Sequence, residues 1–451
     1  MGRCPQPAGH PQIDDPLPPE QKTLTQSATP TADDAEQPTG FGAYLFSHGA
    51  WYLAFGVQMV LFPYIVRILL QENEVRFGLA QMCLQLPTTV LILIGGFVAD
   101  RGDPKRIVTL ACALTVVTFL ALGLMVTTGH LTYGLTIAYA LIVGSIGAFA
   151  IPARDSLLSL VAPRQDAAGI QRAVSFAGLA QFAAQILGMI FAIAAPFLGV
   201  GPLLLALAGL MVCATWAAAS LRPRISEHRA VAGEGNLLGR MAADIAGGLK
   251  AAADTPVIAA VVICAVAMGV CFMGSFYVLL PLIVESYFTA DPDKSHVASA
   301  LALFSLCFWS GSMISALVLV RFGHIRHKGR VYLAALASGG AVLTACALTL
   351  PFWAFCGLNF IWGLGGGVAM TLGRGLVQHY APAESRGRIL SIFTLGLMGG
   401  GPLGAVAYGF LAKAVGPHLA VLVPGLLMLA TIAAIYALSP LRRLDDDRPG
   451  G

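Results

Sequence analysis

Twelve residues, Gly95-Gly96-Phe97-Val98-Ala99-Asp100-Arg101-Gly102-Asp103-Pro104-Lys105-Arg106, decide how this chain is read. They close one long apolar run, 77–99, and open another, 107–128. A carboxylate followed by several cations costs little at such a boundary, because the charged heads reach water or lipid headgroups. The stretch is therefore expected to be a tight polar turn between two membrane helices. Gly95 and Gly96 present no side chain where the first helix ends, which lets a neighbouring helix approach closely. Two readings of the loop stand at this point: a topology signal that keeps basic residues on the cytoplasmic side, or a conformational gate.

Composition excludes a soluble globular domain. Hydrophobic residues make up 57% of the 451 and charged ones 11%, against about 25% charged in soluble domains. Uncharged runs recur, each near the roughly 20 residues that a helix needs to cross a bilayer. The net charge of +4 is no nucleic-acid signal, because the cations sit in short loops between apolar runs. Of the nine cysteines, all but Cys4 lie inside those runs. They read as small packing residues, neither a disulfide frame nor a metal site.

Residues 1–40 are rich in Pro, Gln, Thr and Asp, and are expected to form a disordered cytoplasmic tail with no secretory leader. Apolar runs then fall near 43–70, 77–99, 107–128, 132–153, 173–198 and 201–220. They resume near 257–284, 297–320, 331–350, 352–373, 389–413 and 418–438. This pattern predicts an all-α integral membrane protein with twelve transmembrane helices in two six-helix bundles. The bundles span 41–220 and 257–439, joined by a linker over 221–256 and followed by a tail over 440–451. With the N-terminus placed in the cytoplasm, 23 of the 27 Lys and Arg fall on that side. Only Arg67, Arg76, Lys294 and Lys413 face outward, an asymmetry that a wrong helix number would have scrambled. The expectation is a multi-pass cell-membrane protein with both termini cytoplasmic.

The linker carries an element of its own. Asn236 is placed to cap a helix whose Leu237, Met241, Ile245 and Leu249 recur every four residues. Arg240 and Asp244 are spaced to pair on another side. A helix lying on the cytoplasmic membrane surface is expected there.

An internal repeat is visible. Arg154-Asp-Ser-Leu-Leu-Ser-Leu-Val-Ala-Pro163 is answered by Arg374-Gly-Leu-Val-Gln-His-Tyr-Ala-Pro382. Ser175 to Gly188 has the spacing of Ser391 to Gly404. The offset drifts only between 220 and 216 residues, so the two bundles are expected to be pseudo-symmetric.

Catalytic signatures are missing: no Gly-x-Ser-x-Gly, His-Glu-x-x-His or Cys-x-x-Cys occurs, and no enzyme is expected. Gly363-Leu-Gly365-Gly366-Gly367 lacks the Lys-Ser/Thr of a nucleotide loop and reads as helix packing. No cofactor or metal is called for, and concentrative transport would draw on an ion gradient. All 23 carboxylates fall in tails, loops or at helix ends, with Asp100, Asp155 and Glu285 nearest the membrane. None marks a mid-membrane proton site.

Gly96-x-x-x-Asp100-Arg101 followed by Lys105 and Arg106 resembles the loop between helices 2 and 3 of major facilitator superfamily transporters. The usual pattern there is Gly-x-x-x-Asp-Arg-x-Gly-Arg-Arg. This chain departs from it, with Asp103 where the later Gly is expected and Pro104 where an Arg is expected. The variant is similar to the branch of siderophore and macrolide exporters, and the likeness covers roughly residues 41–439. The resemblance implies the major facilitator fold, with Gly96, Asp100, Arg101, Lys105 and Arg106 as an inner gate. Asp100 would face the N-terminus of helix 11 when that gate closes. Proton antiport is implied by the resemblance alone; a facilitator is the alternative.

In the resembled fold helices 1, 4, 7 and 10 face a central cavity. That favours Gln58, Tyr277 and Asn359 as polar lining, with Phe55, Phe149, Phe276 and Trp362 as apolar walls. Interhelical hydrogen bonding is the competing reading for each polar residue. Gly399-Gly400-Gly401-Pro402-Leu403-Gly404 resembles the Gly-Pro antiporter signature but lies in helix 11 instead of helix 5. Arg67 and Glu285 close helices 1 and 7 at matching depths, carry opposite charges and are expected to pair as an outer gate in the inward-open state. The alternative is two unrelated charges anchored among headgroups. The expected function is transport of a small amphipathic or hydrophobic solute by a monomer, as an exporter working by alternating access, with protons as a coupling ion. An importer or lysolipid carrier, and a non-transporting receptor or scaffold, are the rivals.

Overall fold

A computed structural model describes Gly2 and residues 40–163, 167–223, 237–288, 296–322, 326–382 and 385–443. The N-terminal tail, Asn236 as a helix cap, and the side chains of Asp100, Arg240 and Asp244 lie outside the described residues.

Thirteen long helices are present among the described residues. The first six are α1 (Phe41–Leu69), α2 (Glu74–Arg101), α3 (Pro104–Thr127), α4 (Tyr133–Val161), α5 (Ala167–Ala192) and α6 (Val200–Ser220). A shorter helix, α7 (Leu237–Ala253), follows in the linker. The last six are α8 (Pro256–Ser286), α9 (His296–Phe322), α10 (Lys328–Ala345), α11 (Phe352–Tyr380), α12 (Arg386–Val415) and α13 (Leu422–Leu438). Eleven of these are long and apolar enough to cross a membrane. Of the twelve expected spans, α10 falls short, because Lys328 and Arg330 in its first turn lower its apolarity.

Local chemistry explains the boundaries. Asn73 caps α2 by accepting from Arg76 N at 2.9 Å, and Thr132 caps α4 by accepting from Leu135 N. Gly199, in the connection just before α6, and Gly416, which ends α12, adopt φ 82° and 79°, conformations that favour glycine. They stand 217 residues apart, inside the repeat offset.

The same helix pairs form in both halves, and backbone approaches at glycine hold them together. In the first half Gly188 of α5 meets Leu53 of α1, Gly95 of α2 meets Ala148 of α4, and Gly201 of α6 meets Gly123 of α3. In the second, Gly400 of α12 meets Gly269 of α8, Gly363 of α11 meets Phe308 of α9, and Gly425 of α13 meets Gly340 of α10. A Cβ at any of these sites would strike a neighbour, so dispersion between close backbones supplies the packing that lipid cannot. The 363–367 glycines are packing residues. Gly96, by contrast, faces open space, which corrects the expectation that it admits a neighbouring helix.

Two helices widen locally. The end of α1, Ile65–Leu69, is a π-turn, and so are Met268–Met273 and Ser275–Leu279 in α8. Such turns recur at functional positions in helices. Here they sit at Arg67 and where α8 passes the glycines of α12.

Candidate functional site

The loop 95–106, the start of α1 and the end of α13 share one end of the bundle, the basic end. Arg67 and Glu285 lie at the other.

At that other end Arg67 meets Glu285 with two prongs: Nε donates to Oε2 at 2.7 Å and Nη2 to Oε1 at 3.1 Å. The guanidinium also donates to the Glu72 carbonyl and reaches Glu74 Oε1 at 3.4 Å. Their side chains are 16% and 19% exposed, so the pair is half-shielded from water and keeps more of its attraction than a surface pair would. The π-turn at 65–69 and the left-handed Gln71 (φ 52°) carry the chain over this site. A second pair, Arg76 with Glu72 at 2.9 Å, stands beside it, with Arg76 over the Tyr133 ring. Glu72 and Glu74 were not singled out in the sequence, although both are within one helical turn or two of Arg67.

Contact between the halves continues from there to mid-helix. Ser299 of α9 donates to the Ile193 carbonyl beyond α5, and Thr89 of α2 to Met398 of α12 at 3.2 Å. Gly78 of α2 lies against Ala405 and Gly409 of α12. Phe182 of α5 packs on Trp309 of α9 with centroids 6.1 Å apart. The helix α12 thus touches α2 on one side and α8 on another, using the 399–404 glycines for both.

The central residues distribute unevenly. Phe55 is exposed, 37% by area, and meets Tyr52 edge-on. Phe149 and Tyr277 are half-buried and Gln58 is buried. Asn359 is fully buried and donates to the Phe355 carbonyl of its own helix, leaving its Oδ1 without a partner. Phe276 and Trp362 belong to a packed aromatic cluster with Phe272, Phe304 and Phe308, at centroid separations of 4.8 to 6.0 Å. In this structure they pack in the core of the second half. Their spacing on α8 and α11 was visible, but the neighbours from α9 that fill the gap were not.

At the basic end, the departures from the familiar loop pattern have a local cause. Asp103 caps α3, accepting from Lys105 N at 3.0 Å and Arg106 N at 3.4 Å, and Pro104 occupies the first helical position. Asp103 also pairs with Arg106 at 3.3 Å, and the exposed Arg101 lies 3.7 Å above the Phe97 ring.

Arg154 departs most from its expected place. Counted among loop cations in the sequence, it lies within α4 and is 1% exposed. Its Nη2 reaches Cys112 Sγ at 3.1 Å and its guanidinium lies 4.7 Å from the Trp51 ring, while Nε and Nη1 have no partner. Tyr44 donates to its backbone carbonyl, and Tyr44, His48 and Tyr52 stack along the facing side of α1. That four-residue spacing was the available signal. Asp155, next in sequence, is exposed and lies within the α4 span, six residues short of Val161. It is not at a helix end.

These features have counterparts among known proteins. A family model described as Major Facilitator Superfamily matches residues 41–328 and 271–451. The chain is 25% identical over 405 residues to the multidrug efflux pump Tap of Mycolicibacterium fortuitum, across 86% of this chain and 93% of that one. In fold it is similar to the nucleoside transporter NupG, with a TM-score of 0.69 at 14% identity over 88% of this chain and 98% of that one. It is also similar to a bacterial homologue of the human lysosomal transporter Spinster, with a TM-score of 0.62 at 13% identity over 89% and 95%. Two equivalent six-helix halves, the loop between α2 and α3 and a match across both halves lead to one assignment: the chain belongs to the Major Facilitator Superfamily of membrane transporters.

Proposed function

We propose that this transporter exports a small amphipathic or hydrophobic organic solute by alternating access, with the basic end in the cytoplasm. The observation that carries the reading is the distribution of contacts between the halves. Arg67–Glu285, Ser299–Ile193 and Thr89–Met398 tie the halves together from the far end to mid-helix. Meanwhile charged side chains of α4 and α11 stand exposed inside the spans near the basic end. That is the arrangement of a carrier open on its basic side. The 25% identical relative named as a multidrug efflux pump supports export. The basic loops support a cytoplasmic placement of that end.

The gate role of Gly96, Asp100, Arg101, Lys105 and Arg106 belongs to the same reading, as does that of Arg67 and Glu285. Phe55, Gln58, Phe149 and Tyr277 are the nearer candidates for solute contact. Phe276, Asn359 and Trp362 would reach solute only after the aromatic cluster of the second half opens. Proton coupling is the energy source this reading uses, and the monomer is its working unit.

The test is transport by the purified protein in liposomes, with a panel of fluorescent amphipathic dyes and an imposed pH gradient. Dye movement from the face bearing the basic loops, abolished when the gradient is collapsed, is the expected result. Movement only in the opposite sense would replace export by import, and no movement of any dye would overturn the substrate class.

A further inference from the structure

On the outside of the second half, α9, α10 and α11 leave a groove of about 430 Å³ between them. Its walls are apolar: Ile314 and Val318 from α9, Val331 and Ala334 from α10, Ile361 and Leu364 from α11. Ile314, Val318 and Ile361 are exposed on helices that cross the membrane, so the groove opens onto lipid. Its floor is made of small residues. Gly365 lies so close to α10 that a Cβ there would strike Ser338 Oγ and the Ala335 carbonyl. The two hydroxyls in the groove donate within their own helices, Ser315 to the Ser312 carbonyl and Ser338 to that of Ala335. Whatever fills such a groove must do so with hydrocarbon.

The groove ends at a cluster of cations. Leu319, part of its lining, stands two residues before Arg321, and Val331 directly follows Arg330. Arg321, Arg326 and Arg330 are exposed, with Lys328 among them in sequence. Arg330 is fixed at the edge of the bundle, its Nε donating to the Arg442 carbonyl at 2.8 Å. At an offset of 220 residues, Arg321 and Arg326 answer Arg101 and Arg106 of the α2–α3 loop, whereas Val320 and Gly323 replace its acids Asp100 and Asp103. The second copy has kept cations and lost carboxylates. From Lys294 to Leu444 the sequence holds one acid, Glu384, against eleven Lys and Arg. A topology signal needs the cations but not the removal of the acids, which contribute little to orientation.

We propose that this corner is a binding site for an anionic membrane phospholipid, its phosphate held by Arg321, Arg326 and Arg330 and one acyl chain laid in the groove between α9, α10 and α11. A guanidinium meets a phosphate with two parallel N–H donors, which suits arginine better than lysine to the task. Basic pockets at the ends of membrane helices take lipid headgroups for the same reason. The chain supplies the dispersion contacts that the three helices do not make with one another across the groove. A transported solute would bind where the halves meet, whereas this groove is lined by the second half alone.

The test uses the full-length protein in detergent, with native mass spectrometry counting bound phosphatidylglycerol and phosphatidylcholine of identical chains. Phosphatidylglycerol, whose phosphate carries no balancing choline, should bind about tenfold more tightly. Arg321→Gln, Arg326→Gln and Arg330→Gln together should erase that preference. Arg321→Lys, Arg326→Lys and Arg330→Lys together should keep it to within about threefold, which separates a lost site from a misfolded protein. Ala334→Phe, which fills the groove, should weaken both lipids severalfold and leave their ratio unchanged. Equal binding of the two lipids by the wild type, or a preference that survives the glutamine variant, would overturn the site. So would glycerol phosphate binding as tightly as the whole lipid, which would leave the groove no part. A preference that appears only after Asp445→Asn, Asp446→Asn and Asp447→Asn would assign the cations to the chain's own acidic tail and overturn the lipid as occupant.

Discussion

Arg67 at the end of α1 and Glu285 at the end of α8 are joined by a two-pronged ion pair across 218 residues of sequence, with Nε to Oε2 at 2.7 Å. The two helices are equivalents in the repeat, and the pair ties the halves together at the end opposite the basic loops. Arg67→Glu and Glu285→Arg should each slow dye transport in liposomes. The double reversal should recover most of it, with a coupling energy of about 1–3 kcal/mol. Glu74 lies 3.4 Å from Arg67, so the recovery will be incomplete. Losses that simply add would show that the charges are independent anchors.

The α2–α3 loop is expected to act as a gate through Asp100. A carboxylate placed at a helix N-terminus gains from the dipole there. Asp100→Asn should therefore lower transport by about tenfold, the equivalent of about 1.4 kcal/mol. Expression and thermal stability should hold within the error of a fluorescence melt. Transport at the wild-type rate would return the loop to a topology signal.

Orientation is open to a labelling test. Cysteines introduced at Gln71 and His130, both exposed at the far end, should react with an impermeant maleimide in intact cells. Those at Gly102 and Gly387, exposed at the basic end, should react only after permeabilisation. The reverse pattern would place both termini outside.

The junction of α12 with α8 leaves no room for a side chain. A Cβ at Gly404 would strike Val270 O and approach Gly274 Cα at 3.0 Å, whereas one at Gly357 would meet nothing within 4 Å. Gly404→Val is expected to destabilise by roughly 1–3 kcal/mol or to prevent folding. Gly357→Ala should be neutral in the same melting assay.

Arg154 separates stability from charge. Its guanidinium is buried with Cys112 as hydrogen-bond acceptor and two nitrogens unpartnered. Replacing a buried ionic group by an apolar one of similar size is often neutral or stabilising, whereas removing one partner is costly. Arg154→Met should thus hold or raise the melting temperature, and Cys112→Ala should lower it. Opposite shifts would mean that the guanidinium has a counter-charge.

Much of the architecture was legible because it is written in one-dimensional signals. A run of apolar residues is a local property, and so are the turns that interrupt it: Asn73, Asp103 and Thr132 cap helices by side chains adjacent in sequence. The repeat added depth to order, since a constant offset between halves places equivalent residues at equivalent heights. That is how Arg67 and Glu285 could be paired before any contact was seen.

Tertiary structure decided which way each helix faces. Most of these helices are apolar all round, so a side turned to lipid and a side turned to the core read alike. Only packing shows that Arg154 is enclosed while Asp155 is exposed, or that Phe272, Phe304 and Phe308 wrap Phe276 and Trp362 into a core. The sequence by itself determined how many helices there are and nearly where they begin, but it stopped α4 short at residue 153 and so left Arg154 and Asp155 outside the span that holds them. Rotation about the helix axis, which sets partner and exposure, depends on contacts between segments hundreds of residues apart, and the assembled bundle alone decides it.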